Sequence, residues 1–246
     1  MTPYIPDYLL AFEQAIRPAV AAIALSLIWM GARRMEAPAM SRYATAGALS
    51  AAFIVWLAVA QYLGSTNAYF TSMPAVLSGL LIPLAVAATA MRLSATIRSL
   101  VSAIPLPWIV GAQIYRIAGV IFLVLWADGL LPWQFALPAG IGDVTTGGLA
   151  VVVAALLARR TLDARRAVYI WSLFGIADLV VAVAMGAMTS PGQAHILALD
   201  APNLLISSYP LVMIPTFAVP LALMLHGLVL WRLGREAGSA SRLAAA

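Results

Sequence analysis

Seven long apolar stretches dominate the sequence and limit what the chain can fold into. An α-helix needs about 20 apolar residues to cross the roughly 30 Å hydrocarbon core of a membrane. We therefore predict transmembrane helices 1 to 7 at 10–32, 44–64, 72–92, 107–127, 133–158, 167–188 and 204–231. The connections between them are short, so residues 1–246 are predicted to form a single all-α domain, a seven-helix bundle.

The composition favours a lipid environment. Only 9% of the residues are charged and 63% are hydrophobic, whereas soluble domains are about one quarter charged. Such a chain cannot cover its own surface with polar groups, so we expect the lipid bilayer as its partner. The net charge of +5 comes from basic residues in small groups between the apolar stretches. That distribution excludes the continuous basic patch of a nucleic-acid-binding protein.

The positions of arginine predict the orientation in the membrane. Basic loops stay in the cytoplasm, and all fourteen basic residues of this chain are arginines. Twelve of them follow predicted helices 1, 3, 5 and 7, whereas the loops after helices 2, 4 and 6 contain none. The twelve are Arg33, Arg34, Arg42, Arg92, Arg98, Arg159, Arg160, Arg165, Arg166, Arg232, Arg235 and Arg242. We expect an external N-terminus and a cytoplasmic C-terminus.

Six of the seven tryptophans lie near predicted helix ends, where indole side chains meet the headgroup region of a membrane. Trp29, Trp108, Trp171 and Trp231 fall at inner ends, and Trp126 and Trp133 at outer ends. The arginine- and alanine-rich composition is typical of a bacterium. Together these features predict a multi-pass protein of the bacterial inner (plasma) membrane.

Several chemistries are excluded by missing residue types. The chain has no cysteine and no lysine, which removes disulfides, thiolate-bound metals, iron–sulfur clusters and Schiff-base chemistry. The two histidines are predicted a membrane thickness apart, His195 in an outer loop and His226 near the inner end of helix 7. We therefore predict no cofactor and no metal site.

Three charged residues are predicted at the middle of the membrane. Arg116, Asp143 and Asp178 lie nine to twelve residues inside helices 4, 5 and 6, at depths of about 13 to 18 Å. A charge at that depth costs a few kcal/mol, so it needs a partner or a purpose. Because consecutive helices are usually neighbours, we expect the three side chains to meet.

The residues around Asp143 favour close approach of another helix or a ligand. Small residues such as Gly140, Gly147 and Gly148 let a neighbour touch the backbone, and Thr145 and Thr146 can donate hydrogen bonds. Gln113 lies one turn before Arg116. Helix 7 contains prolines at 210, 215 and 220, which predict a kink lined by Tyr209. The candidate substrate- or ion-binding residues are Arg116, Asp143, Asp178, Gln113, Thr145, Thr146 and Tyr209.

Two interpretations of the charged residues stay open. One arginine that pairs with two aspartates can serve only to hold helices 4, 5 and 6 together, as in a structural or assembly protein without chemistry of its own. Alternatively, the second carboxylate takes up a proton or a cation, as a small transporter of an ion or a small molecule requires. A transporter is the first hypothesis, and an enzyme is the less favoured class.

The enzyme hypothesis rests on four residues. Gly140, Ile141, Gly142 and Asp143 resemble the G-x-G-D signature of intramembrane aspartyl proteases, in which two aspartates share a proton. This resemblance implies catalytic roles for Asp143 and Asp178. In those proteases, however, the aspartate of the signature comes second in chain order, whereas here it comes first.

Overall fold

The computed structural model describes residues 3–70 and 72–244, with side chains up to residue 236. Within these residues the protein is all-helical, and seven helices are long and apolar enough to span a membrane, as predicted. In chain order they are helix 1, Asp7–Arg34; helix 2, Ala39–Ser65; helix 3, Met73–Leu93; helix 4, Leu106–Ala127; helix 5, Trp133–Ala158; helix 6, Ala164–Thr189; and helix 7, Ile214–Glu236, which continues to Ala244. Arg242 lies outside the described side chains.

Prolines mark the starts of four long helices. Pro6, Pro38, Pro105 and Pro132 immediately precede helices 1, 2, 4 and 5. Proline has no N–H to pair, and the first turn of a helix needs none, so a helix can begin directly after it. The observed starts of these four helices lie within five residues of the predicted ones.

A short helix that was not predicted, Ala95–Ala103, joins helices 3 and 4. The Ser94 hydroxyl caps it by accepting a hydrogen bond from the backbone N–H of Ile97 at 3.2 Å. Arg98 turns back and donates to the carbonyl oxygen of Met91 at 2.9 Å, near the end of helix 3, where carbonyls lack helical partners. An arginine assigned to a loop therefore closes the end of a helix.

The predicted start of helix 7 at residue 204 is wrong. The chain is irregular from 208 to 212, and the long helix begins with a π-helical turn at Ile214–Ala218. Pro210 and Pro215 lack a backbone donor and disfavour helical geometry in the residue before each of them. The predicted end at 231 is also too early, since the helix runs to Ala244.

Helices 4 and 7 form the centre of the bundle. Helix 5 lies between helices 4 and 6, and helix 7 packs against helices 3, 4 and 6. In an apolar stretch of 18 residues taken from each helix, 50% of the residues are buried in helix 4 and 56% in helix 7. The corresponding share is only 11% in helix 3 and 17% in helix 2. Polar side chains on helices 4 and 7 are therefore enclosed by protein.

Candidate functional site

A 3₁₀ segment, Gln113–Gly119, interrupts helix 4 and places Arg116. With three residues per turn, side chains three positions apart lie directly above one another. Gln113, Arg116 and Gly119 form such a column and are all buried, whereas Ile114 and Ile117 are 42% and 40% exposed. The local winding therefore turns both the amide and the guanidinium toward the inside of the bundle.

The structure brings Arg116, Asp143 and Asp178 together, as predicted. The Nε of Arg116 donates to Oδ1 of Asp143 at 2.7 Å, and its Nη2 lies 2.7 Å from the same oxygen. Nη2 also pairs with Oδ2 of Asp178. The arginine side chain is 2% exposed. One guanidinium thus links helices 4, 5 and 6 through charge-assisted hydrogen bonds, the strongest kind.

Helix 7 adds His226 to this cluster, which was not predicted. Its Nε2 lies 3.3 Å from Nη1 of Arg116, which also donates to the carbonyl oxygen of Gly175 at 3.4 Å. Because a guanidinium has no acceptor, Nε2 of His226 accepts this bond and the imidazole is neutral. A Cβ on Gly175 would overlap the imidazole, so the close packing of helices 6 and 7 depends on this glycine.

Trp171, which was predicted at a membrane interface, is buried inside the bundle beside His226. The two ring centroids are 4.7 Å apart. The indole Nε1 donates to the carbonyl oxygen of Thr146 at 3.0 Å. His226 was misplaced because its depth was measured from incorrect ends of helix 7. With helix 7 starting at Ile214, His226 is twelve residues in, at a depth of about 18 Å.

Glycines let the aspartates reach the cluster. A Cβ on Gly119 would overlap the side chain of Asp143, and one on Gly142 would overlap the carboxylate of Asp178. Gly148, in contrast, has no neighbouring atom within 4 Å of an added Cβ. The expected close approach at Gly148 is therefore wrong, whereas Gly142 is a contact point.

Two further side chains of helix 4 bind the backbone of helix 7. The amide Nε2 of Gln113 donates to the carbonyl oxygen of Ala222 at 3.0 Å. The hydroxyl of Tyr115 donates to the carbonyl oxygen of Ala218, in the π-helical turn, also at 3.0 Å. Gln113 therefore holds helix 7 in place beside the charged cluster and, among the described residues, forms no hydrogen bond with either aspartate.

The remaining predicted site residues lie elsewhere. Thr146 is fully buried, and its hydroxyl has no hydrogen-bond partner among the described residues. Thr145 is exposed on the outside of helix 5. The hydroxyl of Tyr209 donates to Oε2 of Glu13 at 3.4 Å, and Glu13 pairs with Arg17 at 3.0 Å. Tyr209 thus belongs to a second polar group, between helix 1 and the segment before helix 7.

The cluster carries an excess of negative charge. Arg116 supplies one positive charge against two carboxylates, and a neutral His226 adds none. Among the described residues, Oδ2 of Asp143 and Oδ1 of Asp178 accept no hydrogen bond. An uncompensated charge in a low-dielectric interior costs several kcal/mol, so a proton or a bound cation stabilises this arrangement. The described residues contain no group of three or more metal-ligating side chains.

A cavity leads from the cluster to one end of the bundle. Asp143 lies at its deep end, and its walls include Met73 and Ile214 at the starts of helices 3 and 7, and Ala187 near the end of helix 6. On the other side of Arg116, Trp171 is packed and buried. A ligand in this cavity therefore lies in the half of the bundle where helices 3 and 7 begin.

Comparison with known proteins assigns the chain to a family. A family model described as Domain of unknown function (DUF8737) matches residues 73–234, about two thirds of the chain. The chain belongs to the DUF8737 family. The DUF8737 region starts with helix 3 and contains the whole Arg116 cluster, but neither helix 1 nor helix 2. No curated protein and no solved structure gave a match.

Proposed function

We propose that this DUF8737 protein is an integral protein of a bacterial inner membrane, with the N-terminus outside and the C-terminus in the cytoplasm. Seven apolar helices, five of which have at most 28% of their apolar stretch buried in protein, support this proposal. The arginine-free loops after helices 2, 4 and 6 support the orientation. In this orientation, the cavity that leads to Asp143 faces the external half of the membrane.

Cysteine labelling tests the orientation, because the chain has no cysteine of its own. Thr66→Cys and Gln193→Cys introduce an exposed thiol in predicted outer loops, and Glu36→Cys and Leu162→Cys in predicted inner loops. A membrane-impermeant maleimide should label the first pair in intact spheroplasts and the second pair only after permeabilisation. The reverse pattern would overturn the orientation and leave the seven-helix fold unaffected.

We further propose that the protein is a small transporter whose Arg116–Asp143–Asp178 cluster binds an exchangeable proton or cation. The single observation that carries this proposal is the second carboxylate, which one guanidinium cannot neutralise. A purely structural ion pair needs one carboxylate for one arginine, and it needs no cavity leading to it. Here the surplus charge lies at the deep end of a cavity.

The residues have separate roles in this proposal. Arg116 keeps at least one aspartate ionised and fixed between helices 4, 5 and 6. Asp143 faces the cavity and carries the exchangeable proton or cation. Because Arg116 lies between the two carboxylates, it opposes the direct proton sharing that an aspartyl protease requires. The arrangement therefore supports ion handling over proteolysis.

Proton exchange can be tested without knowing the substrate. Infrared difference spectra between acidic and neutral pH should show a carboxylic-acid band in the wild-type protein that is lost in Asp143→Asn. Glu236→Gln serves as a control, because its carboxylate is exposed in a surface ion pair with Arg165. A band that survives in folded Asp143→Asn and Asp178→Asn variants alike would refute the proposal.

A further inference from the structure

The cavity above Asp143 is a cleft between helices 3 and 6 with almost entirely apolar walls. Leu77 and Leu80 line one side, and Ala182 and Val183 the other. Of the described residues that line it, only Asp143 and Ser207 carry polar side chains. A small hydrated metal ion would lose its water here without gaining the several oxygen ligands it needs. The cleft is therefore suited to an apolar molecule.

The electrostatics of the deep end select a positive charge. Asp143 presents an oxygen, Oδ2, without a hydrogen-bond partner among the described residues, beside a cluster with one surplus negative charge. Phe122 and Phe135 line the same cavity, with ring centroids 5.1 Å apart. Aromatic faces attract organic cations, most strongly where water is excluded. One positive charge at this point would neutralise the cluster.

The shape of the cleft indicates how such a molecule reaches Asp143. Helix 3 packs against helix 7, and helix 6 packs against helices 5 and 7, so the cleft separates helix 3 from helix 6. Leu77 and Val183 are partly exposed on its two sides. From Leu179 to Ala187 its wall on helix 6 is about 12 Å long. This side faces the apolar surroundings of the bundle, from which a lipid-soluble molecule can enter.

We propose that the cleft between helices 3 and 6 binds a lipophilic organic monocation, with its charged centre at Asp143 and its apolar part between the two helices. This inference rests on the proposed transport function and names its substrate class. The bound cation and a proton compete for the same surplus charge. The charged and titratable groups around Asp143 are Arg116, Asp178 and His226, together with the Tyr115 hydroxyl on helix 4.

Binding of decyltrimethylammonium to the full-length protein in nanodiscs tests this inference, because its cationic headgroup is small and the void lined by Asp143 is only about 40 Å³. Radiolabelled decyltrimethylammonium is measured by equilibrium dialysis, with empty nanodiscs as the background. Decanol, which has the same chain but is neutral, and tetramethylammonium, which is charged but hydrophilic, serve as competitors. We expect neither to displace the probe, and we expect acidification to weaken its binding.

Two matched substitutions on helix 6 locate the site. Ala182→Phe fills the cleft, whereas Ala184→Phe adds the same side chain on the exposed face of the same helix. We expect Ala182→Phe and Asp143→Asn each to weaken binding by at least about tenfold, and Ala184→Phe to leave it unchanged. Folding of each variant is checked by size-exclusion chromatography and by its unfolding temperature.

The outcomes separate this inference from the proposed function. Absence of specific binding to the wild-type protein, or equal binding to folded Ala182→Phe and wild type, would overturn the lipophilic-cation site. If the infrared carboxylic-acid band still depends on Asp143 in that case, the proton-handling function stands. If Ala182→Phe does not fold, Val183→Trp probes the same wall and is judged by the same criterion.

Discussion

Replacing Arg116 by methionine should destabilise the protein strongly, because it removes the only positive charge of the buried cluster. Methionine keeps a long, apolar stem but leaves the carboxylates of Asp143 and Asp178 without their partner, and it removes the donor to His226. Breaking a buried ion pair from one side costs about 3 to 5 kcal/mol. For a chain of this size about 2 to 4 °C corresponds to 1 kcal/mol, so we expect the unfolding temperature to fall by roughly 6 to 20 °C.

A triple variant tests whether charge, and not side-chain volume, causes this loss. Arg116→Met combined with Asp143→Asn and Asp178→Asn contains no charge in the cluster, so it should recover most of the stability. Thermal unfolding in one detergent at neutral pH, followed by size-exclusion chromatography, measures all variants. A single variant within about 1 kcal/mol of wild type, or a triple variant no more stable than the single one, would refute the reasoning.

Four further substitutions, one of them a control, probe the packing around the cluster. Gly142→Ala should cost about 1 to 3 kcal/mol, because its Cβ overlaps the carboxylate of Asp178, whereas Gly148→Ala should be neutral or stabilise the helix by up to about 1 kcal/mol; equal unfolding temperatures would contradict this. Trp171→Phe loses the hydrogen bond to the backbone of helix 5 and should lower stability by about 1 to 3 kcal/mol, seen as a lower unfolding temperature. Tyr115→Phe leaves a helix 7 carbonyl without its donor and should cost about 1 kcal/mol, measured in the same way; no change would show that water replaces the hydroxyl.

The number of helices and the meeting of Arg116 with two aspartates could be predicted for the same physical reason. Apolar helices must be long enough to cross a membrane, and a charge within one cannot remain alone. Depth counted along the helix therefore located Arg116, Asp143 and Asp178 at one level. The prediction succeeded because the ends of helices 4, 5 and 6 were correct to within a few residues.

The parts that could not be predicted involve backbone geometry that apolar composition does not encode. Helix 7 was started ten residues early, and this error moved His226 away from the cluster and Tyr209 toward it. The proline at position 215 was the available signal, because a helix accepts proline most easily in its first turn. Trp171 was assigned to an interface from its residue type and its position near the predicted start of helix 6, although an indole N–H can also be buried when it donates to a backbone carbonyl, as it does here to Thr146.

The 3₁₀ winding of Gln113–Gly119 also changes the length of helix 4. A residue in a 3₁₀ helix rises about 2.0 Å, against 1.5 Å in an α-helix, so these seven residues extend the helix by about 3.5 Å. Helix 4 has 22 residues, yet it is as long as a regular α-helix of about 24 residues. The segment that aligns the buried side chains therefore also brings one of the shortest helices of the bundle closer to the span of its 26-residue neighbour, helix 5.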